Sequence, residues 1–225
     1  VLGQILQEAG HDTQIGDEGG YAPNLSTNEE GFGLLVKAIQ TAGFIPGTDV
    51  VLGSDIAASA LPPTFAATVD NFFSLFNNFP LFSLEDPFAE DDIPHWTELK
   101  EKIDAMSDPS HPHLLIGDDL FSGNLARLQE GIERNVANAI LIKMTQATTL
   151  SDIIAAIDLA RKSGYIHILS HRSGETLDTF VTDLAIGSGA AFLKAGAPND
   201  QAPERIVKYE RVVEVEEELH LAPPS

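Results

Sequence analysis

The chain has 225 residues, 43% of them hydrophobic, enough for one sizeable core without requiring two domains. Its 13 lysines and arginines against 34 acids leave a formal charge of -21, which argues against a nucleic-acid groove or an anionic membrane surface as the main partner. Cysteine is absent, which removes disulfides and thiolate chemistry and suits a reducing, cytoplasmic compartment.

Val1 is not a methionine, and Leu2 to Ala9 reads as the middle of a helix with no basic-then-apolar leader, so a missing N-terminal part is expected. No apolar run approaches the roughly 18 residues of a membrane helix. Gly16-Asp17-Glu18-Gly19-Gly20 follows, where glycine permits positive φ and a close approach of Glu18 to a ligand; an acidic surface turn is the plainer reading. Apolar residues then recur at helical spacing in four places: Phe32/Leu35/Val36/Ile39, Val69/Phe72/Phe73/Phe76, Leu150/Ile153/Ile154/Ile157 and Leu177/Phe180/Val181/Leu184. Thr27 and Glu30 form a capping-box pattern ahead of the first.

Between them lie short apolar runs suited to strands buried on both faces: Val50 to Leu52, Leu81 to Leu84, Leu114 to Ile116, Ala139 to Ile142, His167 to Leu169 and Ala191 to Leu193. Each ends at or near a polar or charged residue, in order Asp55, Glu85, Asp118, Lys143, His171 and Lys194. These are 30, 33, 25, 28 and 23 residues apart, close to the roughly 30 per unit of a (β/α)₈ barrel, whose strand ends converge on one mouth. An open doubly wound sheet shares the alternation, but it gives no reason for a charge at every strand end, and no GxGxxG turn is present.

Asp55, Glu85 and Asp118 offer hard oxygen donors that suit Mg²⁺, although any one alone could simply begin a loop or cap a helix. Asp86 and Asp119 stand beside two of them, and pattern alone does not choose within those pairs. Lys143 closes the most apolar run, where lost hydration and nearby cations favour a neutral, proton-accepting amine; a lysine snorkelling from the rim is the alternative. Ser170-His171-Arg172-Ser173-Gly174-Glu175, ahead of a helix predicted near Thr176, supplies a cation, a hydroxyl and a glycine that can cradle a phosphate, or merely form a polar turn. Lys194 adds a second cation.

Taken in order, GDEGGYAPN (16 to 24), SLEDPFAEDD (83 to 92), GDDL (117 to 120), LIKMTQ (141 to 146), SHRSGETLDTF (170 to 180) and LKAGAP (193 to 198) resemble the enolase family across nearly the whole chain. The resemblance implies a TIM-type (β/α) barrel of the enolase superfamily over residues 1–225, without the family's N-terminal α+β domain and first barrel strands. It further implies magnesium-dependent dehydration of 2-phospho-D-glycerate to phosphoenolpyruvate, with Asp55, Glu85 and Asp118 on Mg²⁺ and Lys143 as base. Glu18 would serve in acid catalysis, with Arg172 and Ser173 on the phosphate and His171 and Lys194 completing the substrate contacts. A phosphorylated small molecule is the expected partner, and a homodimer the expected state of the longer protein. The family's second acid-catalysis glutamate, a histidine and a mobile-loop serine have no match, so a catalytically silent fragment acting as a surface or binding protein is the alternative. Ile56, Ala60 and Thr145 also depart from the family's common residues.

Overall fold

The computed structural model of the chain describes residues 1–62, 68–106 and 112–219. It opens on α1 (Leu2–Glu8) and, beyond the glycine turn, α2 (Asn28–Thr41). Strands and helices then alternate: β1 (Leu52–Asp55), α3 (Val69–Asn78), β2 (Leu81–Glu85), α4 (Ile93–Met106), β3 (Leu114–Gly117), α5 (Leu125–Arg134), β4 (Ala139–Lys143), α6 (Leu150–Lys162), β5 (Ile166–Ser170), α7 (Phe180–Ser188), β6 (Phe192–Lys194) and α8 (Pro203–Glu218). Among the described residues the six strands pair in chain order, every pair parallel, with one α-helix in each crossover and a 3-10 turn, Ala58–Ala60, ahead of α3 in the first.

Alternation along the strands sends side chains to two separate apolar layers. Ile140 and Ile142 of β4 face outward onto a layer shared with Trp96, Leu99, Ile103, Leu128 and Ile157 of the helices. Ala139 and Leu141 face inward with Leu114, Ile116 and Ile168, and Phe82 and Ile166 pack on them. Phe82 of β2 also meets Phe192 of β6, ring centroids 5.4 Å apart, although these strands are far from adjacent in the sheet order. The sheet is therefore curled around an inner core with its helices outside, which is the expected barrel type. No helix among the described residues is long and apolar enough to cross a membrane.

Three expectations need correction. Burial on both faces holds for β3 but fails at the sheet edges, where Val50 and Val51 ahead of β1 and Phe192 of β6 are exposed, because an edge strand has a neighbour on one side only. The helix predicted near Thr176 begins at Phe180, since the buried Lys208 of α8 takes the carbonyls of Thr176 (2.6 Å) and Asp178 (2.5 Å) as acceptors and holds that segment out of helical geometry. At α2 the Thr27 hydroxyl accepts from the Glu30 amide, but the Glu30 carboxylate accepts from Ser26 and not from Thr27. A reciprocal capping box occurs instead at α6, between Thr149 and Asp152.

Candidate active site

Strand register sets the level of the charged groups. Asp55 is the Cα partner of Glu85, Glu85 that of Ile116, and Asp118 lies two residues further on; Ser170 is paired with both Lys143 and Lys194. The carboxyl ends of all six strands thus form one mouth, as parallel strands in a barrel require. A cavity of about 600 Å³ opens there, lined by Glu18, Asp55, Asp118, Lys143, His171, Arg172, Ser173 and Lys194. Glu85 is buried and lines an adjoining cavity that shares Asp55 and Lys194 with this one. A larger cavity of about 820 Å³ between α2 and α3 has, among the described residues, Glu29 as its one charged lining residue, so volume alone does not mark the site.

The acidic side belongs to β1, β2 and β3. Glu85, Asp86 and Asp118 each offer a carboxylate oxygen within 4.8 Å of the others, and all three are buried. Asp55 joins them through Lys194, whose Nζ donates to Asp55 Oδ2 at 2.8 Å and to both oxygens of Glu85 at 2.9 Å. Burial pushes the Glu85 carboxyl up to about 8, outweighing Lys194, with Asp55 adding repulsion. For Lys194, burial pulls downward, but Glu85 and Asp55 prevail and raise it above its ordinary value. The donor set is all hard oxygen, which fits Mg²⁺ and not a thiolate-seeking metal.

Asp86 was one of the residues that pattern could not separate from its neighbour, and the structure gives it distinct work. At φ +42 the chain turns so that its two carboxylate oxygens accept from the amides of Asp118 (3.1 Å) and Asp119 (2.7 Å). A non-glycine residue there carries roughly 1–3 kcal/mol of backbone strain, offset by two charge-assisted bonds. Burial raises its carboxyl to about 7 against the pull of those amides. Asp118 in turn is gripped by Lys143 Nζ on one oxygen and Gln146 Nε2, at 2.7 Å, on the other.

The cationic side is built differently. Lys143 and Lys194 end β4 and β6, while His171, Arg172 and Ser173 lie in the turn after β5. That turn meets the glycine turn from far upstream: Ser173 Oγ donates to Glu18 Oε1 at 2.7 Å, and His171 Nε2 lies 2.5 Å from Glu18 Oε2. Glu18 is held in place by its own backbone too, its carbonyl accepting from Ala197 at 2.8 Å while Asn199 Nδ2 donates to the Gly19 carbonyl. Gly19 takes φ +81 in this turn, as the glycine-bracketed sequence suggests.

Four residues at the site escaped sequence reasoning in their roles: Asp86, Gln146, Asn199 and Arg205. Gln146 falls within a quoted motif, but nothing in its spacing signals contact with Asp118. Arg205 stands in α8, where an arginine reads as an exposed helix residue, yet it is fully buried. Pro203 at the start of that helix is the sole hint that its first turn sits at a defined place.

Residues 2–223 match the family described as the enolase C-terminal TIM barrel domain. A protein named enolase from Natranaerobius thermophilus is 38% identical over 233 residues, an alignment covering 98% of this chain and 53% of that protein. The chain spans about half the length of the relative it matches. Because the family match runs through every strand that contributes to the charged mouth, the chain belongs to the enolase family.

Proposed function

We propose that residues 1–225 form the catalytic barrel of a magnesium-dependent phosphopyruvate hydratase, a lyase of glycolysis and gluconeogenesis that interconverts 2-phospho-D-glycerate and phosphoenolpyruvate. The observation that carries this reading is a single cavity where carboxylates face Lys143, Lys194 and Arg172, in a chain of net charge -21. In so acidic a protein, three cations at one mouth form the local positive field that a phosphorylated carboxylate needs.

The reaction removes a proton from C2 and a hydroxyl from C3. Asp55, Glu85 and Asp118 would hold Mg²⁺, which when bound supplies positive charge to the substrate carboxylate as negative charge builds on it. Lys143 accepts the C2 proton through Nζ. Lys194, raised above its ordinary value and so kept charged, faces the same developing negative charge. Glu18, protonated for this step, gives its proton to the C3 hydroxyl, which departs as water and leaves Glu18 a carboxylate aimed by Ser173 and His171. Arg172 and Ser173 hold the phosphate, Ser173 through its backbone N–H while its one hydroxyl proton stays on Glu18, a contact that positions the substrate. Asp86, with both oxygens on backbone amides, orients the Asp118 loop. The longer protein is a cytoplasmic homodimer in this proposal.

The test is phosphoenolpyruvate formation from 2-phosphoglycerate, with magnesium or with chelator, by this chain and by the protein extended upstream toward the full length of its relative. Activity in the extended protein that needs magnesium, and is absent with glycerate lacking phosphate, is the expected result. An extended protein that folds and makes no phosphoenolpyruvate would refute the reading.

A further inference from the structure

Arg205, on the first turn of α8, is 0% exposed, yet among the described residues no carboxylate takes its guanidinium hydrogen bonds. Its Nη1 donates to the carbonyl of Arg172 at 2.8 Å and contacts His171 Nδ1; its Nη2 donates to the carbonyls of Ser173 at 2.7 Å and Asp17 at 2.8 Å. The nearest acid, Glu204, lies 3.7 Å from Nε. A buried charge with such partners is costly, and an apolar side chain of similar volume would fill the space without that cost. What the guanidinium does instead is join three points of the site: the residue before Glu18, the ring of His171 and the backbone that carries Ser173.

The contact with His171 has a chemical consequence. Arginine has donors only and stays protonated, so the Nδ1 it touches must be an acceptor. A neutral imidazole with a bare Nδ1 carries its proton on Nε2, the nitrogen 2.5 Å from Glu18 Oε2. We propose that Arg205 is a positioning residue that locks His171 as the neutral Nε2–H tautomer, so that His171 and Ser173 together present the Glu18 carboxylate in one fixed orientation.

The other groups facing His171 fit this arrangement. Burial holds the ring below its ordinary value; Glu18 of the glycine turn and Glu175 of its own loop pull upward, while Arg205 of α8 and Lys194 of β6 push down. Gly196, at φ +75, leaves the room these groups need, since a Cβ there would stand 2.9 Å from the His171 ring and 3.1 Å from Arg205 Cδ.

The inference rests on the proposed function only for its kinetic consequence. The deciding experiment is two-bond ¹H–¹⁵N NMR of the histidine rings in ¹⁵N-labelled protein, with His171 assigned by loss of its signals in His171→Gln. Expected is a neutral Nε2–H ring that stays neutral below the ordinary histidine value of about 6.5; an Nδ1–H ring, or protonation at that ordinary value, overturns the inference without any Arg205 variant being needed. In Arg205→Lys, checked for folding by its melting transition, the single ammonium cannot reach all four acceptors, so mixed tautomers and a raised titration point are expected; an unchanged ring again overturns it. In the extended protein the same variant should lower kcat by about 10²-fold, the scale of a misplaced catalytic group, with KM changed far less. Loss limited to KM would instead assign Arg205 to substrate binding alone. Should no hydratase activity exist at all, the proposed function fails while the NMR result still decides the tautomer.

Discussion

The two sides of the mouth are held by different means. On the acidic side, Asp55 and Glu85 end adjacent strands in direct register, and Asp118 follows the next strand, tied down by Asp86 from beside Glu85. On the cationic side only Lys143 and Lys194 sit on strands; the His171 to Ser173 turn is braced by Arg205 and Lys208 of α8, and Glu18 arrives from a turn 155 residues away from Ser173 in sequence. Charges placed by a parallel sheet inherit their positions from backbone pairing. Those placed by loops need a buried brace from elsewhere, and in this chain that brace is a pair of cations at positions 205 and 208, about one helical turn apart.

The sharpest way to break this comparison is at the group that touches both sides. Lys143 ends a cationic-side strand while its Nζ bonds Asp118 of the acidic side. If it is the base, Lys143→Ala should cost 10²- to 10⁴-fold in kcat of the extended protein, about 3–5 kcal/mol of barrier, with magnesium binding retained. A variant within threefold of the parent would remove Lys143 from the chemistry and leave it as a counter-ion to Asp118.

Next in size is Asp86→Ala, which strips the charged acceptor from two amides and leaves them without a partner. A stability loss of about 3 kcal/mol in urea unfolding is expected, with magnesium affinity down ~10–100-fold as the Asp118 loop loosens. Asp86→Asn, which keeps one acceptor oxygen, should lose less of both. Equal losses in the two variants would mean that the charge, not the bonding geometry, holds the loop.

This contrast also explains what could be read before the structure was known. The six strands and the charge at each strand end were legible because parallel strands buried in the sheet are continuously apolar and stop where side chains meet solvent. β3 and β4 show this without exception. The edge at Val50 and Val51 misled because burial depends on a neighbouring strand and not on the residue itself. Thr176 misled for a related reason: its apolar neighbours keep helical spacing, but Lys208 claims the carbonyls a helix would need. Arg205 and Asp86 were invisible in their roles, since nothing local distinguishes a brace from a solvated charge. The contact that defines it lies 32 or more residues away in both cases.

A smaller effect separates burial from charge on the acidic side. Both Glu85 and Asp86 are raised, from 4.5 to about 8 and from 3.8 to about 7, with burial as the main cause. An acid raised on folding binds its proton more tightly in the native state, so its contribution is full below pH 4 and is lost as pH rises through 7 and 8. In chelator-containing buffer the melting temperature of the parent, relative to Glu85→Gln, should therefore fall between pH 5 and about 8. Lys194 is raised too, but both its folded and unfolded forms stay charged across that window and add no slope. A parent-minus-variant difference that climbs with pH would show that the Lys194 pairing outweighs burial at Glu85.

The smallest expected change comes from the most exposed of the three proposed metal ligands, and it is informative because it is small. Asp55 has a 39% exposed side chain, and its bond to Lys194 is screened by water, so Asp55→Asn should alter unfolding free energy by less than about 1 kcal/mol without magnesium. Lys194 keeps both oxygens of Glu85 as acceptors in that variant. Titration calorimetry should nevertheless show weakened magnesium binding, because one anionic donor has been replaced by a neutral amide. Unchanged affinity would move the metal toward Glu85, Asp86 and Asp118, the three acids that already lie within 4.8 Å of one another. In that case Asp55 would serve to hold Lys194, and Asp86, whose oxygens each keep a lone pair beyond the one on a backbone amide, would bind the ion and hold the Asp118 loop together, so magnesium should raise the unfolding free energy of the parent more than that of Asp86→Asn.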